Sequence, residues 1–114
     1  MGKTTNKRVT IPGIDNRNME LIINSLKQFP EIESAIVFGS RAMGNFKNSS
    51  DIDIALKGNG INQLTYTKLS GILNDELPLP WYFDVIPFDI IENNSLKDHI
   101  NRVGIEFYNN ENNS

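Results

Sequence analysis

The stretch Val37–Leu56, "VFGSRAMGNFKNSSDIDIAL", decides how this chain is read. It leaves an apolar run, turns at Gly39-Ser40 and, after ten further residues, reaches two aspartates one residue apart, Asp51 and Asp53. "DIDIAL" alternates strictly, the pattern of a strand with one buried face. Successive side chains of a strand point to opposite faces, so Asp51, Asp53 and Ala55 share one side and Ile52, Ile54 and Leu56 the other. The isoleucines supply the buried face. The two carboxylates then stand side by side, and like charges at that distance repel unless a cation sits between them. Ligands that are all oxygen, with no His or Cys, select a hard cation, Mg²⁺ first.

The turn ahead of them has its own chemistry. "SAIVFG" is short, wholly apolar and rich in branched and aromatic residues, as expected of a central strand buried on both faces. "SRAMG" then has the length of one helical turn before Gly44 stops it. A strand-turn-helix junction exposes backbone N–H groups that attract anions. Gly39 lets a phosphate approach the backbone with no Cβ in the way, Ser40 adds a hydroxyl, and Arg41 is expected to reach the same phosphates. Taken alone, Gly-Ser is simply a turn; its spacing from Asp51 is what couples an anion site to a metal site.

Outward from this stretch the apolar period changes several times. Met19, Leu21, Ile22, Ile23, Leu26 and Phe29 recur at helical spacing behind Asp15, an N-cap, and Pro30 closes the segment. "NQLTYTKLSGILNDEL" places Leu64, Leu69, Ile72 and Leu73 on one helical face. "WYFDVIPF" reads as a third strand and "SLKDHINRVG" as a last helix, capped by Ser95 and ended by Gly104. Ile105–Tyr108 is one more short extended piece. The predicted fold is α/β (α+β): a small mixed sheet of three to four strands with helices packed on it. One domain over residues 14–108 is expected, flanked by a loose segment 1–13 and a polar tail 109–114.

Asp84 lies inside the apolar run "YFDVIP", where a lone carboxylate is costly. It becomes a third ligand if its strand runs beside "DIDIAL"; otherwise it caps an edge or faces water. Asp89 competes for that role but follows Pro87, past the strand. His99 is expected to face solvent, and Trp81, Tyr82 and Phe83 to serve core packing ahead of an interface.

Composition narrows the remaining classes. The chain has 114 residues, is 39% hydrophobic and 22% charged, and carries a net charge of -3, so it lacks the basic surface that grips a nucleic-acid backbone. Cys is absent, which excludes disulfides, thiolate metal sites and Cys nucleophiles. The N-terminal residues are polar, with neither a signal-peptide core nor a convincing acylation motif, and a cytoplasmic protein is expected. A calcium-loop reading of "SSDIDIALKGNG" fails because Ala55 and Lys57 fall where ligands are needed. A D-x-D glycosyltransferase fits poorly with the small size and the upstream Gly-Ser.

"GSRAMG", five residues, then "SDIDIAL", with "YFDVI" downstream, resembles the minimal nucleotidyltransferase (MNT) family of the DNA polymerase β-like superfamily. The resemblance covers about residues 16–108. It implies that Gly39 and Ser40 hold nucleotide phosphates, with Arg41 and Ser50 also in the pattern, and that Asp51 and Asp53 bind metal. Asp84 would be the third carboxylate, assisting the metal or accepting the proton of an attacking hydroxyl. Met43 stands where many members carry a basic residue, which shifts phosphate binding toward Arg41 and Lys47. The implied reaction moves a nucleoside monophosphate, AMP from ATP, to an acceptor hydroxyl with loss of pyrophosphate. Two Mg²⁺ ions are implied, Mn²⁺ being the substitute. MNT proteins are often paired with a separately encoded helical HEPN-type protein, and in some pairs the MNT member modifies a HEPN tyrosine with AMP. The alternative is a non-catalytic antitoxin that neutralises its partner by contact.

Overall fold

The five-residue run Ser34–Phe38 is buried at every position, and in the computed structural model, which describes residues 9–111, it forms the inner strand β1. Strand β2 (Ile52–Lys57) lies antiparallel on one side of it and β4 (Ile105–Asn109) antiparallel on the other; β3 (Phe83–Pro87) is parallel to β2. The sheet order is β3-β2-β1-β4, a mixed sheet of four strands as expected. Helix α1 (Asn16–Leu26) precedes the sheet, and α3 (Gln63–Gly71) makes the crossover that a parallel β2–β3 pair requires. The single turn α2 (Ser40–Met43) joins β1 to the loop before β2, and α4 (Asn94–Val103) leads into β4.

Strand alternation divides the core as the sequence indicated. Ile52, Ile54 and Leu56 join Met19, Ile22 and Leu26 of α1 and Leu69 and Leu73 in the larger cluster. Ile36, Phe38 and Ala55 form the opposite face with Ile100 of α4. Among the described residues no helix is long and apolar enough to cross a membrane.

Several expectations need correction. Leu64, assigned to the buried side of its helix, is 59% exposed: it is the second residue of a helix that begins at Gln63, and Thr65 and Leu69 are the positions that turn inward. The last helix is capped by Asn93, whose side chain accepts the Leu96 N–H, and not by Ser95. Residues 1–8 and 112–114 of the two expected loose ends fall outside the described residues. Within the described part, however, Ile11 is fully buried and the Pro12 carbonyl is hydrogen-bonded, so the packed core begins before residue 14. At the other end Asn110 donates its backbone N–H to Glu33 and its side-chain amide to Ile32. Apolar content and a buried arginine, described below, outweigh the local turn signal at Pro12-Gly13.

A π-helical turn, Ile72–Glu76, ends α3 and swings Asn74 onto the outer edge of β3. There its Nδ2 donates to the Phe83 carbonyl at 2.9 Å and its Oδ1 accepts the Phe83 N–H at 2.7 Å, as a neighbouring strand would. The Tyr82 carbonyl, by contrast, accepts from Ile52 of β2. Alternate residues face alternate neighbours, so Phe83, Val85 and Pro87 point to the outer edge. Asn74 occupies the first of these rungs, and Pro87 has no N–H to offer.

Asn62 and Thr65 cap α3 reciprocally, and the buried Thr65 hydroxyl donates to Glu31 Oε2 at 2.6 Å. That bond is the main reason the Glu31 carboxyl sits below its ordinary value of 4.5. A carboxyl with a lowered folded pKa stabilises the fold fully above its unfolded value and loses that contribution as pH falls through the folded one. Thr65→Val keeps the backbone N–H on Asn62 but removes the hydroxyl's half of the cap and its bond to Glu31, and is expected to cost about 1–2 kcal/mol at pH 7. The gap from the parent should narrow as pH falls below 4.5. Urea unfolding at pH 7 and in acid measures both, and a gap independent of pH would leave only the cap.

Candidate active site

The register places the acidic residues without further assumption. Asp53 is opposite Phe38 on β1 and opposite Asp84 on β3, so Phe38, Asp53 and Asp84 form one row across the sheet. All three point to the face where α4 packs, because Phe38 belongs to that face's cluster. Asp51 lies just ahead of β2, on the same side by alternation. Asp51 and Asp84 are exposed and Asp53 is half-buried. The Asp53 carboxyl is held above its ordinary range, first by burial and then by the charges of Asp84 and Asp51. Among the described residues no group of three His, Cys, Asp or Glu side chains is disposed to hold a metal ion by itself.

Gly39 closes the row. Its φ of 74° and ψ of -150° lie in a region that essentially only glycine enters. A Cβ placed there would strike the Asp53 carboxylate. Gly39→Ala is therefore expected to destabilise the fold by about 2–3 kcal/mol through strain and a displaced Asp53. A thermal melt checks this, and an unchanged melting temperature would show that the turn relaxes freely.

Arg41, Ser50 and His99 differ from expectation, as does Tyr82 below. Arg41 does not reach outward to phosphates: it is 1% exposed. Its Nη1 donates to the Pro12 carbonyl at 2.8 Å, Nη2 to Asn48 at 3.2 Å and to Ser50 at 2.9 Å, and Nε to Ser50 at 3.3 Å. The guanidinium also lies 4.8 Å from the Phe46 ring centroid and 5.8 Å from that of Trp81. Carbonyl dipoles and aromatic faces replace a carboxylate partner, and burial lowers the Arg41 pKa. Gly13, at φ 86°, leaves the space the guanidinium needs.

Ser50 is likewise committed to the turn before Asp51. Its Oγ accepts the Lys47 N–H at 2.8 Å, while its carbonyl takes Arg41. His99, expected in solvent, is half-buried, and its Nε2 accepts the Gly39 N–H at 3.1 Å. The cause is α4, which lies over β1 and so brings a residue remote in sequence onto the turn. No signal short of the fold could have placed it there.

Of the aromatic trio, Phe83 is fully buried, Trp81 donates its indole N–H to Asn48 at 2.8 Å, and Tyr82 is 58% exposed. A cleft of about 450 Å³ opens beside the row at the β3 edge, lined by Tyr66, Ser70, Asn74, Tyr82, Asp84 and Val85 among others.

With the mixed sheet and its acidic row described, comparison with known proteins identifies the family. The family model described as polymerase beta, nucleotidyltransferase matches residues 20–113. The chain belongs to that family. No curated protein matches it. Among solved structures, a toxin–antitoxin complex with AMP-PNP is similar with TM-score 0.67 and 22% identity, over 87% of this chain and 77% of that one. The toxin–antitoxin pair MntA–HepT follows with TM-score 0.62 or above among its forms; the form without a stated substitution gives 0.63 at 19% identity, over 87% and 76%. A tri-AMPylated Shewanella oneidensis HEPN toxin in complex with MNT antitoxin gives 0.56 at 17% identity, over 82% and 75%. Identities this low establish a shared fold.

Proposed function

We propose that this chain is a metal-dependent nucleotidyltransferase that moves AMP from ATP to an acceptor hydroxyl, a tyrosine of a HEPN-type partner. The observation that carries the reading is the row of Asp53 and Asp84 in register on parallel strands, with the Gly39 turn against Asp53. The family match and the toxin–antitoxin complexes among its structural neighbours support it.

The donor set suits Mg²⁺, with Mn²⁺ as substitute. Mg²⁺ is commonly held by one or two carboxylates plus substrate phosphates and water, so residues that do not close a site alone are compatible with an ion that arrives with the nucleotide. Asp51, Asp53 and Asp84 would hold it; when bound, it supplies charge neutralisation on the transferring phosphoryl group. Gly39 and Ser40 receive phosphate, with Lys47 exposed on the loop that follows. Asp84, exposed at the cleft, accepts the proton of the incoming hydroxyl. Arg41 and Ser50 serve at one remove, by holding the loop that delivers Asp51.

Incubation with each α-phosphate-labelled NTP and Mg²⁺, with and without the HEPN-type protein and beside Asp53→Asn, tests this. Label on the partner that is lost in the variant establishes the transferase and names base and acceptor. A stable complex without transfer would overturn it in favour of an antitoxin that acts by contact.

A further inference from the structure

His99 is the only histidine of the chain, and it meets the site from 60 positions away in sequence. Its Nε2 accepts the Gly39 N–H at 3.1 Å. An imidazole nitrogen accepts only when it carries no proton, so the hydrogen-bond pattern puts the ring proton on Nδ1. The ring stands edge-on to Phe38, with centroids 6.2 Å apart and planes at 80°. Beside it on α4, Leu96 and Ile100 pack into the same face of the sheet, so the helix that presents the ring is anchored.

Gly39 in turn bounds Asp53, since the space a Cβ would take at Gly39 is filled by that carboxylate. A continuous path therefore runs from α4 through a main-chain amide to the central carboxylate of the row. Phe38, the third member of the row, is the ring that His99 packs against. An aliphatic side chain would cover Phe38 equally well but would leave the Gly39 amide without its acceptor.

We propose that His99 is a positioning residue of this site: it fixes the main chain of Gly39, and through Gly39 the wall against which the Asp53 carboxylate rests. The proposal rests on the reading of Asp53 as a working carboxylate. Groups that act behind a metal ligand typically change activity by about 10–100-fold when removed.

Two substitutions separate the hydrogen bond from packing. His99→Phe keeps a ring on Phe38 and deletes the acceptor; His99→Gln gives up the ring and restores an acceptor oxygen. In the labelled-ATP assay His99→Phe is expected to lower kcat about 10–100-fold, with KM for ATP changed far less, and His99→Gln to recover most of that loss. A ¹⁵N spectrum of the parent's single histidine ring should show a proton on Nδ1 and a bare Nε2, a result that needs no variant to fold.

If the parent transfers no label, the transferase reading fails and resonances decide this proposal alone. Gly39 amide and Asp53 carboxyl signals that move in His99→Phe and return in His99→Gln support it. Unmoved signals, an unchanged kcat in His99→Phe, or a proton on Nε2 would overturn it.

Discussion

Replacing Asp53 by asparagine should abolish nucleotidyl transfer and yet make the domain more stable. Asp53 carries the raised carboxyl of the row, with burial the first cause and its two acidic neighbours the next. A carboxyl whose folded pKa exceeds its unfolded one costs stability once ionised, so the parent should gain stability as pH falls through that raised value, down to the ordinary 3.8. Asparagine removes the charge and keeps the shape. Asp53 is only half-buried, and after allowance for solvent screening the gain is about 1 kcal/mol, roughly 4 °C in Tm. The acid-side gain should disappear in the variant. Activity should move the other way, by about 10³-fold or more, because on the proposed reading the group lost would hold the ion that neutralises the transferring phosphoryl group. Mg²⁺ with ATP should raise the melting temperature of the parent and leave the variant unmoved. An Asp53→Asn protein that is less stable than the parent at neutral pH would show that the carboxylate is a structural acceptor and that repulsion does not dominate this site.

Arg41→Met should be strongly destabilising. One guanidinium satisfies the carbonyls of Pro12, Asn48 and Ser50, and so ties the N-terminal strap to the loop that precedes Asp51. Its removal leaves the half-buried carbonyls of Pro12 and Ser50 without this donor at about 1–3 kcal/mol each, partly relieved by water, while Asn48 keeps the Trp81 N–H, for an expected total of about 2–5 kcal/mol. Domains of this size hold only about 5–15 kcal/mol in all, so the variant sits near unfolding at physiological temperature. Arg41→Lys should rescue little, since a single ammonium cannot span three carbonyls set for a planar fork. Urea denaturation measures both. A loss below about 1 kcal/mol in Arg41→Met would mean that solvent replaces the guanidinium freely.

The contrast between Arg41 and the aspartates shows what sequence could reveal. Strict alternation in "DIDIAL" put Asp53 on a face, and an apolar run interrupted by Asp84 identified its neighbour; the register then brought the two together. Those features are local and periodic, so they were legible. The motif around Gly39 was legible too, but it could not say where Arg41 points, because the three carbonyls that receive it belong to segments on both sides of its turn. His99 was invisible for a related reason: its partner is set by how α4 crosses β1. Leu64 and Ser95 failed at helix starts, where one or two residues of slippage move a side chain off its face or out of its cap.

Asn74 carries one more consequence. An open sheet offers two rows of unsatisfied amides to any second chain, and two copies of this protein could in principle zip together along β3. The side-chain amide on Phe83 already mimics the missing neighbour, and Pro87 is mute as a donor, which leaves Val85 as a single rung between two blocked ones. One rung is too little to nucleate a fibril-like ladder. The same kink in α3 that shapes the cleft beside Asp84 thus also works as a guard against self-templating at high concentration.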